Sequence, residues 1–230
     1  MIILSLDTTT RAGSCAVLDD DRVLASLRGD ESRTHGERMP GELARVLEMA
    51  GVARERIDLL AVAIGPGAFT GLRIGLAAIQ GLAMALNKPV AGVSALDALA
   101  EQVPRGSVDR IVPWMDAQRG DVFGSILDGV SWQQIEPPST AAPRTLIDEW
   151  RTQLQGGRSI FIGDAVERDA AIISAIVGSE TRLPAILAPE IARLGRRMAE
   201  RGQAGPPHAL EPIYVRRPDA EIERERRGRA

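Results

Sequence analysis

Hydrophobic positions recur along the chain in two rhythms. Ile2–Leu6 is a short apolar run ended by the polar Asp7-Thr-Thr-Thr10, Gly13–Leu18 is a second, and Arg22–Arg28 alternates imperfectly between apolar and polar residues. Short runs of this kind predict strands, and Asp19-Asp-Asp21 predicts a turn, because short acidic side chains bond their own backbone. The chain should therefore open with an antiparallel meander. At Pro40–Ala50 the spacing becomes helical: Met39, Leu43, Val46, Leu47 and Ala50 share one face, Pro40 suits the first turn and Gly51 the stop. Leu59–Ile64 is continuously apolar, as in a strand buried on both faces, and breaks at Gly65-Pro-Gly67. A helix is expected over 70–86, stopped by Asn87 and Pro89, then a buried strand Val90–Val93. Ser94 should cap a helix through Ala100, with Asp97 completing a capping-box pattern.

Pro104-Arg-Gly-Ser107 interrupts this order, which then partly recurs. Arg110–Met115 and Val122–Leu127 are expected strands around an Arg119-Gly-Asp121 turn. Residues 130–144 carry Pro137, Pro138 and Pro143 and should form a loop around at most one edge strand. Leu146–Leu154 predicts a helix, Ser159–Ile162 a strand, Ala165–Val177 a helix and Pro189–Arg201 a long amphipathic helix. No residue-level repeat is visible. The shared order nevertheless implies two α/β lobes, 1–103 and 104–230, with a terminal helix free to pack back on the first.

Composition narrows the classes. The chain has 230 residues, 44% apolar and 26% charged, which suits a globular fold that needs no staple. Its single cysteine, Cys15, excludes an internal disulfide and a cysteine-cluster metal site, and fits a reducing, cytoplasmic setting. A net charge of −3 gives no general affinity for polyanions. With only His35 and His208, a histidine metal site is not expected. The first residues lack a basic n-region, and no apolar run reaches about 18 residues free of turn signals, so neither a signal peptide nor a membrane span is expected.

Gly65-Pro-Gly-Ala-Phe-Thr-Gly-Leu-Arg-Ile-Gly75 follows a buried strand and opens a helix. Its glycines and the amides at a helix start suit a phosphate; equally, they suit a tight turn against which another segment packs closely. It is neither a Walker A loop nor a G-x-G-x-x-G fingerprint. The helix that follows is apolar on every side, with Arg73 and Gln80 its only strongly polar interior residues. Such a helix is covered all round, either by a partner subunit, which Gly75, Ala78, Gly81 and Ala85 would let approach closely, or by the two lobes. Asp7-Thr-Thr-Thr10 could hold a phosphate or a Mg²⁺-bound water, or simply satisfy a turn. Asp116 is a turn acid or a group facing between the lobes. The tail Arg216–Arg229 mixes six arginines with four acids and reads as a solvated helical end.

Several strings together resemble the TsaB (YeaZ) family: Ile3-Leu-Ser-Leu-Asp-Thr-Thr9, Gly65 through Leu76, Gly81-Leu-Ala, Val90-Ala-Gly-Val-Ser-Ala-Leu96, Asp116-Ala-Gln-Arg-Gly-Asp-Val-Phe123 and Pro212-Ile-Tyr-Val-Arg216. The likeness is dense over residues 1–123 and thin over 124–205. It implies the actin/hexokinase-like fold: two lobes, each a five-stranded mixed sheet with helices. It also implies a part in placing threonylcarbamoyl on the adenosine beside the anticodon of tRNAs. In that family the chain is a non-catalytic partner of TsaD, which holds the metal and transfers the group. TsaE, a small ATPase, is a weaker partner together with ATP. The chain can also self-pair, and tRNA is met only indirectly. The His-x-x-x-His pair of TsaD-like members is absent here, and Asp7 is followed by no glycine, which points away from independent metal or ATP chemistry. ATP or ADP with Mg²⁺ is then expected only at the junction of the two subunits, with Asp7, Thr8, Thr9, Gly65 and Gly67 as nucleotide-facing candidates. The docking surface is expected to use Met39, Leu43, Leu47, Phe69, Thr70, Arg73, Leu76 and Gln80, with Arg73 and Phe69 as anchors. The competing reading is a stand-alone ATP-dependent phosphotransferase of the same fold, with Asp7 near Mg²⁺ and Gly65–Gly67 near phosphate. A glycoprotein endopeptidase is weaker still, because no nucleophile–base pair is spaced for it.

Overall fold

The computed structural model describes residues 1–215. The charged stretch Arg216–Arg229 lies outside the described residues.

The chain opens with the meander its pattern predicts: β1 (Ile2–Asp7), β2 (Ser14–Asp19) and β3 (Arg22–Arg28). Then follow α1 (His35–Ala50), β4 (Leu59–Gly65), α2 (Phe69–Leu86), β5 (Val90–Ser94) and α3 (Ala95–Ala100). The sheet runs β3-β2-β1-β4-β5, antiparallel through the meander and parallel from β1 to β5. The second half repeats the plan with β6 (Arg110–Asp116), β7 (Val122–Asp128), β8 (Gln134–Ala141), α4 (Pro143–Glu149), α5 (Arg151–Leu154), β9 (Ser159–Ile162), α6 (Ala170–Ile173) and β10 (Ser179–Arg182). Its sheet order, β10-β9-β6-β7-β8, matches the first strand for strand. These two five-stranded mixed sheets with helices are the actin/hexokinase-like architecture. α7 (Ala188–Glu200) closes the set and packs on β1, β2, β4 and β5.

Strand alternation sorts the core into layers. Leu4, Leu6, Val17, Leu60 and Val62 face α1 and α2 on the outer side of the first sheet. Ile3, Ala16, Leu18, Leu59 and Ala61 face α7 and α3, and this cluster continues into Ile111, Phe123, Leu127 and Ile160 of the second sheet. Trp114, Trp150, Phe161 and Leu146 fill the far side of the second lobe. α7 lies close to the first sheet at Gly195, where a Cβ would come within 2.8 Å of Ala61 Cβ.

Three expectations change. α1 starts at His35 rather than Pro40, because Glu37 Oε2 accepts from the Thr34 amide at 2.9 Å, so Pro40 falls inside the helix. The one edge strand allowed for residues 130–144 is present at 134–141, a position that tolerates Pro137 and Pro138. The helix expected over 165–177 shrinks to the four residues of α6 among turns. There the buried Asp169 carboxylate accepts Trp114 Nε1 at 2.9 Å and Arg168 Nε at 2.9 Å, while Asp164 Oδ1 accepts the Asp116 amide at 2.9 Å, contacts that compete with helix. β10, Ser-Glu-Thr-Arg, has no apolar rhythm to announce it; it forms by pairing with β9.

Candidate functional site

α2 is held from three sides and open on the fourth. Its sequence places Leu72, Leu76, Ile79 and Ala83 on one stripe, and all four are buried against the sheet. Leu76, at 5% exposure, is therefore core and is not available to a partner, contrary to expectation. On one flank α1 runs alongside. Met39, Pro40, Leu43, Ala44, Leu47, Ala78 and Leu82, with Arg54 as the one charged residue, line a largely apolar groove of about 320 Å³ beside the two helices. Met39 and Leu43 are buried and form its floor; Leu47 is half-buried at its edge.

On the other flank lies the chain's own C-terminal segment, residues 203–214. Gly205 bridges to Val90, Gln80 Nε2 donates to the Pro207 carbonyl at 3.0 Å, and the Ile213 amide donates to the Ile64 carbonyl at 2.7 Å. Tyr214 stacks on Phe69 with ring centroids 5.2 Å apart, and its hydroxyl accepts Arg73 Nε at 3.2 Å. The Arg73 guanidinium carbon sits 3.9 Å from the Phe69 ring centroid. Phe69 and Gln80 are thus engaged within the molecule. The outer ridge keeps Thr70, Arg73, Ala77, Gly81, Met84 and Ala85 exposed, Met84 at 70%. Ala77 and Met84 were not singled out from sequence, though they lie one and three helical turns from Arg73 on the same stripe.

The candidate nucleotide residues are brought together, but into one another. Thr9 fills the space beside Gly67, where a Cβ would meet Thr9 Cβ at 2.5 Å, and Thr8 covers Gly71 and Gly75. Gly65, with φ +117, has the Ile213 carbonyl 2.5 Å from where its Cβ would be. These contacts account for the glycines through close packing. Asp7 Oδ1 accepts the Thr9 amide at 2.8 Å and Thr9 Oγ1 at 2.6 Å, and its Oδ2 accepts Thr10 Oγ1 at 2.7 Å, so its carboxylate is occupied by its own turn. The site expected for a stand-alone phosphotransferase is divided: Asp7 lines a cleft of about 480 Å³ between the lobes, with Arg11, Asp116, Asp164 and Arg168, and Gly65 and Gly67 do not. In that cleft Arg168 pairs with Asp116 at 2.6 Å, and burial raises the Asp164 carboxyl. Among the described residues no group of three or more His, Cys, Asp or Glu is placed to hold a metal.

His35 joins the cleft loop to both helices. Its Nδ1 lies 2.9 Å from Arg38 Nη2, and its ring edge lies against Gly13 and Gly71. Arg38 is buried, clamps Glu42 at 2.7 and 2.8 Å, and donates to the Ala12 carbonyl. Burial, and next the Arg38 charge, hold His35 below its ordinary pKa. Burial pushes the Cys15 thiol up to about 12, which makes it a core residue without reactivity.

Comparison with known proteins bears on the fold and the family. A family model described as "TsaD: tRNA N6-adenosine threonylcarbamoyltransferase" matches residues 29–129. The tRNA threonylcarbamoyladenosine biosynthesis protein TsaB of Escherichia coli is 30% identical over 225 residues, covering 94% of this chain and 95% of that one. TsaB of Bacillus subtilis is 26% identical over 230 residues, 96% of each. The solved structure of YeaZ from Pseudomonas aeruginosa superposes with a TM-score of 0.73 at 28% identity, covering 93% of this chain and 99% of that one. A second Pseudomonas aeruginosa structure, described as similar to peptidase YEAZ, reaches 0.78 at 27% identity, covering 94% and 99%.

Proposed function

The chain belongs to the TsaB family of tRNA threonylcarbamoyladenosine biosynthesis proteins, and on that footing we propose that it serves threonylcarbamoyladenosine formation as a non-catalytic subunit that docks a TsaD-type partner. The observation that carries this reading is the open ridge of α2 beside the α1–α2 groove. Ala77, Gly81, Met84 and Ala85 stand in solvent on an eighteen-residue helix with a single charge, next to an apolar trough. Contiguous apolar surface of this kind marks an interaction site, and small residues let a partner helix come close. The closed turn around Asp7 supports the accessory role, because a carboxylate already accepting three hydrogen bonds is poorly placed to serve a metal-bound phosphate.

Size-exclusion chromatography of the chain with a purified TsaD subunit tests the reading. A joint peak is expected, and Met84→Glu should abolish it while leaving thermal stability unchanged, because Met84 touches little of its own fold. Leu76→Glu should instead unfold the chain. Two separate peaks from folded proteins would overturn the docking role. Turnover of ATP by the isolated chain would favour the phosphotransferase.

A further inference from the structure

Arg73 is the only charged residue of α2 and stands on the ridge proposed to be covered. Among the described residues its Nε bonds the Tyr214 hydroxyl, its face lies on Phe69, and no carboxylate pairs with it. A partner that covers the ridge takes this guanidinium out of water. Burying a charge without a counter-charge is strongly unfavourable, so an acid of the partner facing Arg73 would favour covering the ridge.

The C-terminal segment prepares Arg73 for that acid. Ile213 is fixed to β4 by its hydrogen bond to Ile64, and the missing Cβ of Gly65 is what lets the Ile213 carbonyl lie so close. The next residue, Tyr214, then reaches the Phe69 ring and the Arg73 Nε together while 41% of its own surface stays exposed. Anchoring one edge of the guanidinium leaves the two terminal nitrogens, which match the two oxygens of a carboxylate. An arginine ordered before contact loses less conformational freedom on binding.

We propose that residues 203–214 complete the docking face by building a carboxylate receptor on it. Tyr214 acts as a positioning residue that holds Arg73 to grip an Asp or Glu of the docked subunit. This rests on the docking reading above.

The test is isothermal titration of the full chain and its variants with the TsaD subunit at low and high salt. Arg73→Ala should weaken binding by about 30-fold or more and flatten its salt dependence. Arg73→Lys should recover only part of the loss, because an ammonium lacks the two-pronged geometry. Tyr214→Phe keeps the ring and removes the hydroxyl acceptor; it should weaken binding by about 3- to 10-fold with an unchanged melting temperature, which a purely structural role would not produce. If the parent binds and both Tyr214→Phe and Arg73→Lys match it, the receptor is wrong and the docking reading stands. If the parent does not bind, the docking reading fails and the receptor with it.

Discussion

Several residues that look chemical in sequence turn out to be joints, and His35 is the clearest. Isolated in the chain, it carries no metal signature; in the fold it sits between the cleft loop, α1 and α2. Burial first, and the Arg38 charge second, lower its pKa below the ordinary 6.5, against the opposing carboxylates of Asp7 at the end of β1 and Glu42 of α1. The folded state therefore keeps His35 neutral to a lower pH than the unfolded chain does. The unfolded chain binds the extra proton, so stability must fall as pH drops through about 6.5 and level off below the folded pKa. Urea midpoints of the parent at pH 7.5 and 5.5 should differ more than those of His35→Gln; equal differences would mean the ring is not held neutral in the folded state. The same scale explains what sequence could and could not show. Gly65, Gly67 and Gly75 announced a close approach, and the structure supplies one at each. What approaches is Ile213 and Thr8–Thr9, which lie far away in the chain, so no local pattern could name them.

At the scale of elements, periodicity carried most of the information. The strands of the first lobe and α2 follow from their apolar runs, and Ser94 caps α3 through the Asp97 amide at 3.3 Å as its spacing suggests. The failures share a cause: β10 and the region around α6 are set by pairing with β9 and by the buried Asp169, neither of which leaves a rhythm in the sequence. α2 teaches a further distinction. Apolar residues all round it required cover all round, but the stripe at Leu72 and Leu76 is covered by its own sheet and the stripe at Ala77 and Gly81 by nothing described. Gly81 separates stability from docking. A Cβ there would meet nothing within 4 Å, and alanine is favoured over glycine in a helix interior by about 0.5–1 kcal/mol. Gly81→Ala should therefore raise the melting temperature while weakening the proposed complex with a TsaD-type partner, because the added methyl would hold a docked surface away. Tighter binding by this variant would place the contact elsewhere.

Across the whole molecule, the lobes are duplicated in topology but not independent in packing. The cluster containing Ile3, Ala61 and Ala91 runs without a break through α3 and α7 into Ile111, Phe123 and Ile160. α7, which follows the second sheet in sequence, spends its apolar face on the first: Ser5 Oγ donates to the Ala188 carbonyl at 2.7 Å, and the Ala188 amide donates to Ser14 Oγ at 3.1 Å. Neither lobe can unfold without exposing a core shared with the other. Calorimetry should therefore show one transition, with a van't Hoff enthalpy equal to the calorimetric one, about 160 kcal/mol for a chain of this size. Gly195→Val sharpens the test. Its side chain would press on Ala61 Cβ, 2.8 Å from the first added carbon, and overpacking of this kind costs about 1–3 kcal/mol. The entire transition should shift down by about 5 °C as one unit. A second peak that stays at the parent temperature would show that the lobes melt separately and that α7 belongs to one of them alone.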